Sequence, residues 1–260
     1  MTPFSRTLAL AAALAAGVAM SAPDAAQAKS HGKGRIMADG YSRPAEEVLA
    51  EARKASGGAG WNLLRGIHVS GHEKAAAGDI RFETWVDPLR YGMRTETHQA
   101  AGVLTEGFNG QGDWRILPDG KTVAIDDHAA VGKLRTEAFL AAGGIFYTSR
   151  FEAHGELIGV KTNGGKSFDV LNVEPWGGSP RELWFDRSTH LLARIVDRTG
   201  AQAVTTELSD YRKVGPVRIA FHTLVRGPSA GAVQDRQLDS VIFTPADRSL
   251  FSLPRPDGAP

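Results

Sequence analysis

Between Asp79 and Asp87 the chain alternates. Ile80, Phe82, Thr84 and Val86 fall on one side of an extended backbone, and Arg81, Glu83, Trp85 and Asp87 on the other. That is the period-two signature of an antiparallel strand buried on one face. The period changes to two from Trp61 onward, and similar runs follow at Tyr91–His98, Val103–Phe108, Trp114–Leu117 and Thr122–Ile125. They are separated by Asp87-Pro88, Asn109-Gly110 and Pro118-Asp119-Gly120, where proline presets φ, glycine accepts positive φ, and Asp or Asn bonds its own backbone. Strands are predicted again at Leu157–Lys161, Phe168–Glu174, Glu182–Asp186, Leu191–Asp197, Val204–Asp210, Val217–Val225 and Gln237–Phe243, before Phe251-Ser252-Leu253-Pro254 closes the chain. Around a dozen strands are too many for a flat open sheet, so the pattern predicts a strongly curled antiparallel sheet or a barrel.

Two segments carry the helical period instead. Ser42 is placed to cap a helix starting near Pro44, with Glu46 and Glu47 in its first turn, where carboxylates suit the helix dipole. Ala45, Val48, Leu49 and Ala52 form its apolar stripe, and Gly57-Gly58-Ala59-Gly60 ends it. A second helix is predicted from His128 to Ala142, stopped by Gly143-Gly144. Val131, Leu134, Ala138 and Ala141 make its stripe, while Phe139 and Leu140 lie on flanks that a simple surface helix leaves polar. Such a helix is covered on more than one side, either as a lid over a cavity or by contact with the first helix. Gly143-Gly144 is a possible hinge in the lid reading.

The first residues change the compartment. Arg6, the apolar run Leu8 to Met20 and the small-x-small triplet Ala26-Gln27-Ala28 read as a secretory signal peptide over residues 1–28. The run is short for a spanning helix, which needs about 20 apolar residues. Residues 29–41, rich in Gly, Lys and Ser without apolar periodicity, read as a flexible leader, and 42–260 as one domain. The chain has no cysteine, hence no thiol nucleophile, disulfide or acylated lipobox. Thirty Lys and Arg against 29 Asp and Glu, interspersed, leave no basic stripe for nucleic acid.

Three stretches resemble the periplasmic lipoprotein-carrier superfamily of LolA/LolB-like, outer-membrane lipoprotein-sorting proteins. They are the first helix with Gly57 to Gly71, then Glu106 to Trp114 (EGFNGQGDW), then Glu182 to Leu192 followed by Ser209 to Arg212 and Phe251 to Pro254. The resemblance implies a mainly β fold with a few helices, a curled antiparallel half-barrel whose concave face is covered by a helical lid around an apolar cavity. It implies a non-catalytic periplasmic binding or carrier protein for a lipid or lipoprotein acyl group. Its partners would be a lipid or acylated protein and envelope membrane proteins, with no cofactor and no metal. The residues expected to line the cavity are Trp85, Trp114, Val131, Leu134, Phe139, Leu140 and Trp184. Similar N-terminal segments also precede retropepsin-like protease domains, but no Asp-Thr-Gly or Asp-Ser-Gly triplet is present.

Other motifs favour structural roles. His68 and His72 fall in a strand-like run, about 13 Å apart at ~3.3 Å per residue, too far for one metal ion. Asp126-Asp127-His128 could serve acid–base chemistry in an envelope hydrolase, but an acidic residue at a helix start is first of all a cap. No Gly-x-Ser-x-Gly elbow exists, and Asn163-Gly-Gly165 and Trp176-Gly-Gly178 read as hairpin turns. A protein-interaction or sensor module acting through a sheet edge is a third reading. Export with cleavage after Ala28 is the expected outcome for residues 1–28; the mass of the exported species checks it, and a mature form still carrying Met1 contradicts it.

Overall fold

A computed structural model describes residues 40–75, 78–110, 112–227 and 233–253; the expected signal peptide and nearly all of the expected leader lie outside them. Two helices, α1 (Arg43–Ser56) and α2 (His128–Ala141), accompany thirteen strands. The first six are β1 (Ile67–Ala75), β2 (Gly78–Asp87), β3 (Gly92–Gln99), β4 (Gly102–Phe108), β5 (Asp113–Ile116) and β6 (Thr122–Ile125). After α2 come β7 (Ala153–Asn163), β8 (Lys166–Pro175), β9 (Arg181–Asp186), β10 (Leu192–Asp197), β11 (Val204–Val214), β12 (Val217–Arg226) and β13 (Val233–Ile242). The expected curled half-barrel is what forms: one open sheet in the order β6-β5-β4-β3-β2-β1-β13-β12-β11-β10-β9-β8-β7, every neighbouring pair antiparallel.

The order is two meanders joined at their starts and ends. β1 pairs with β13 in mid-sheet, with His68 opposite Ile242 and Lys74 opposite Asp235. The two strands that flank α2 in sequence, β6 and β7, are therefore the two outer edges. The link between them traverses the concave face, and α2 makes that crossing.

The core lies between the helices and the concave face. It contains Leu49, Trp61, Phe82, Phe108, Phe139, Leu171 and Phe221, contributed by both helices and by strands of both meanders. On α1 the buried residues are Ala45, Leu49, Ala52 and Ser56, one stripe at helical spacing. On α2, every residue from Thr136 to Ala141 is buried, so this helix is enclosed on more than one side. A smaller cluster of Phe168, Val170, Trp184 and Val196 forms apart from the main core.

Local chemistry explains most boundaries. Asp127 caps α2 by accepting from the Ala130 amide at 2.8 Å, whereas Ser42 occupies the cap position of α1 without a side-chain bond. The hairpin at Asn163-Gly164-Gly165-Lys166 has both glycines at positive φ, 56° and 75°, which matches the twist of the flanking strands. Several boundaries differ from the sequence reading: β11 runs to Val214 rather than Asp210, and β13 starts at Val233 rather than Gln237. Gly58–Leu63 is a 3₁₀ turn, and the strand expected from Trp61 starts at Ile67, because the Trp61 indole is drawn back to Ser56 Oγ at 3.0 Å. β7 starts at Ala153 rather than Leu157, because Gly155 bridges Tyr41 in parallel and takes the Ser42 amide at 2.8 Å. Farther along, the register of β7 shifts between Leu157 and Gly159, with Gly159 at φ 139°.

Replacing Asp127 with Ala is expected to cost about 1 kcal/mol as a lost cap. Chemical denaturation of the variant checks this; a cost several times larger would mean that Asp127 does more than hold the start of α2.

Candidate functional site

At the C-terminal end of α2 an apolar cavity of about 40 Å³ lies against α1 and strands β10 to β12. Leu140, Ala141 and Gly143 close it from above, Trp61 and Ala52 from the side, and Leu192 and Ile219 from the sheet. The walls are fixed by bonds from polar tips: Tyr211 Oη donates to the Leu192 carbonyl at 2.6 Å, and Tyr147 Oη donates to the Trp61 carbonyl. Gly143 adopts φ 66°, and a Cβ there would meet the Trp61 ring at 2.9 Å, so the turn out of α2 is seated on that indole. Just past its middle α2 is tethered by Thr136, whose Oγ1 accepts from the Ser179 amide at 2.7 Å and donates to the Ser179 carbonyl at 2.8 Å.

The seven residues expected to line a cavity divide into two groups. Leu140 borders the cavity. Phe139 does not line it and is fully buried in an aromatic cluster with Tyr91 and Phe151, ring centroids 6.2 and 6.4 Å away. Leu134 is buried on the same helix and Val131 half-buried near its start. Trp85, Trp114 and Trp184 are not brought to them. Trp85 alternates with Thr84 and Val86 on β2, stacks on His68 at 4.7 Å and shares the Arg94 guanidinium with Trp114. Trp114 donates to the Phe251 carbonyl at 3.1 Å, so the chain's closing turn covers it. Trp184 belongs to the small separate cluster, packed on Phe168 with Lys161 and Arg194 over its ring. Each is an aromatic on the side of its strand away from the main core, shielded by a cation or a terminal segment.

Sequence reasoning missed a set of buried charges. Arg236 and Glu73, cross-strand partners of β13 and β1, meet at 2.5 Å and are almost fully buried. Arg181 pairs with Asp197 at 3.0 Å and Arg115 with Glu106 at 2.7 Å. Glu137, on the buried side of α2, sits among Arg181, Glu106 and Asp197. Burial lifts its carboxyl well above the usual carboxylate range, and the neighbouring Glu106 and Asp197 push the same way against Arg181 and Lys133. Burial also raises Glu106, against the pull of Arg115 and Arg236. Burial thus disfavours the charged form of Glu137, with Arg181 and Lys133 acting in its favour.

A second concavity, an open groove of about 390 Å³, is bordered by His72, Lys74, Asp210, His222, Asp235 and Gln237. Here Ser209 Oγ and Asp235 Oδ1 each lie 2.8 Å from a ring nitrogen of His222, across three adjacent strands. The hydroxyl, imidazole and carboxylate stand in the order that a nucleophile, base and orienting group would. All three are open to solvent, where water competes for every one of these bonds, so the row acts as a cross-strand hydrogen-bond ladder. Asp126 and His128 are both exposed, at the start of α2. Among the described residues, no group of three or more His, Asp or Glu is arranged to hold a metal ion.

The buried carboxyls give a pH dependence. Asp113 has no hydrogen-bond partner on either oxygen. Burial raises its pKa from 3.8 to about 6, opposed by Arg135 and Arg115. The folded protein then keeps a proton that the unfolded chain releases, so this contribution is complete at pH below 3.8 and is lost as pH rises through about 6. Asp113→Asn is expected to remove that part of the decline in melting temperature between about pH 4 and pH 6; an unchanged slope in the variant would assign the decline to other groups.

Neither a protein-family model nor a curated protein matches the sequence; the likeness to known proteins is one of three-dimensional structure. A LolA superfamily protein from Nitrosomonas europaea superposes with a TM-score of 0.55 at 12% identity, covering 80% of this chain and 97% of that one. An outer membrane lipoprotein-sorting protein domain from Vibrio parahaemolyticus gives 0.53 at 14%, covering 80% and 97%. A DUF1329 family protein from Desulfovibrio piger gives 0.56 at 12%, covering 81% and 98%. The chain thus has the fold of the LolA superfamily and of lipoprotein-sorting domains, a curled antiparallel half-barrel with helices on its concave face.

Proposed function

We propose that this protein is a periplasmic binding or carrier protein for a lipid or a lipoprotein acyl group, non-catalytic, with α2 as its lid. The observation that carries the reading is the apolar cavity beneath the end of α2, bordered by Leu140. Leu140 is one of the two bulky flank residues that a helix lying on a sheet has no need of. The fold shared with a lipoprotein-sorting domain supports the same direction.

At about 40 Å³ the cavity is closed, since pockets for small molecules run to about 300–1,000 Å³. Cargo would enter by displacing side chains that now fill its place, with Trp61, Ile145 and Phe146 next to move. Thr136 holds the middle of α2 to the loop before β9, so the motion belongs to the last turn of the helix and to the turn at Gly143. Each methylene of an incoming chain contributes about 0.8 kcal/mol on leaving water. Part of that is spent separating Leu140 and its neighbours, which leaves a moderate affinity that favours handing cargo on.

Leu140→Asp is expected to weaken binding of a fluorescent fatty acid about tenfold or more, the equivalent of one buried leucine contact, with circular dichroism confirming a folded domain. Ala52→Met, which fills the cavity without adding charge, is expected to weaken binding and leave the melting temperature unchanged or higher. Unchanged binding in both folded variants, or no binding by the wild type, would overturn the reading.

A further inference from the structure

One end of the half-barrel carries cations that have no carboxylate to meet. Most arginines elsewhere hold one, as Arg94 holds Glu96 at 2.6 Å and Arg198 holds Glu182 at 2.6 Å. Among the described residues, Arg53, Arg65, Lys213 and Arg218 form no ion pair. Arg53 donates to the Asn62 side chain, and Arg65 to the Asn62 and Leu64 carbonyls. Lys213 and Arg218 are direct cross-strand partners on β11 and β12, a like-charge pairing that destabilises a sheet unless something negative lies over it.

The chain's own packing gathers these groups. The β11–β12 turn runs under the end of α1 so closely that a Cβ on Gly57 would lie 2.7 Å, and one on Gly60 2.5 Å, from the Pro216 carbonyl oxygen. Arg53, Arg65 and the Lys213–Arg218 pair are thereby held around the Gly58–Leu63 turn. From that turn Leu63 projects with 68% of its surface exposed. Arg218 also borders the apolar cavity. Lys54 adds a further exposed cation, with only a loose partner in Glu51 at 3.9 Å. No helix of the described residues is long and apolar enough to cross a membrane.

We propose that this end of the half-barrel, Arg53, Arg65, Lys213 and Arg218 around Leu63, is a docking surface for an anionic phospholipid membrane. The cations face lipid phosphates and Leu63 enters the interface, which brings the mouth of the cavity to the bilayer. The occupant is argued from charge: four cations without carboxylates, two of them opposed in register, beside an exposed apolar side chain. This is the combination that binds an anionic interface reversibly, with basic residues contributing long-range attraction and the apolar residue insertion. The purpose of the surface rests on the carrier reading; its existence does not.

The test is flotation of the full-length mature protein with vesicles of phosphatidylcholine, with and without phosphatidylglycerol. Binding is expected only to the phosphatidylglycerol vesicles and is expected to fall as salt is raised, because exposed charges are screened within about 10 Å at 0.1 M salt. Lys213→Gln is expected to weaken partitioning about fivefold, and Arg65→Gln with Lys213→Gln about thirtyfold, from the loss of one and two surface cations. Fatty-acid binding is expected to be unchanged in both variants. Equal binding to both vesicle types, or anionic binding insensitive to Lys213→Gln, overturns the proposal. So does retention on immobilised poly-glutamate with no vesicle binding, which would assign the surface to an acidic protein. A wild type that floats with anionic vesicles but binds no fatty acid leaves the docking surface standing and removes the carrier reading; the reverse result removes the docking surface alone.

Discussion

The pairing of β1 with β13 is the constraint from which the rest of the architecture follows. It joins strands from opposite ends of the folded chain in the middle of the sheet, and its register is marked by a buried ion pair between residues 163 positions apart, Glu73 and Arg236. Taking one partner away from such a pair leaves an uncompensated charge in the interior, at a cost of about 3–5 kcal/mol. A one-residue slip would do the same while turning Leu238 outward. With the seam in place, β6 and β7 can only be the far edges, and their connection can only run over the concave face. The covering position of α2 is thus a result of strand order before it is a result of side-chain chemistry.

That position explains the unusual composition of α2. The helix crosses above two kinds of surface, an apolar region near Trp61 and a region where Glu106, Arg181 and Asp197 face inward. Leu140 and Phe139 suit the first, Thr136 and Glu137 the second. A helix matched to both regions has a definite axial position, since a shift by one turn would set Glu137 against the apolar wall in one direction, or Leu140 among the charges in the other. Burial raises the Glu137 carboxyl well above the usual carboxylate range, against the pull of Arg181.

The fold was legible wherever local patterning decides structure. The alternation around Phe82, the turns at Asn109-Gly110 and Asn163-Gly-Gly165, and the paired flanks of α2 all appear in a short window of sequence. The site was less legible, because it depends on which face of each strand turns inward. Trp85 shares its side of β2 with Arg81 and Glu83, so its own period already set it apart from Phe82; size and hydrophobicity alone suggested a cavity. The covering of Trp114 by Phe251 involves residues 137 positions apart, and nothing near either residue announces it. The inward charges are hidden for the same reason: Glu73 looks like any polar strand residue until Arg236 is known to lie opposite.

An open sheet with two edges invites a further strand from another chain, and thirteen strands give it a wide template. The two edges deter this in different ways. β6 is only four residues long and almost fully exposed, too short to hold a partner. β7 is long and presents Ile158 and Val160 to solvent, which alone would make it a hazard. Its first residues are occupied by Tyr41, and its register breaks at Gly159, whose φ of 139° bends the backbone away from a straight ladder. The glycine therefore interrupts the straight ladder that an added strand would need along this edge.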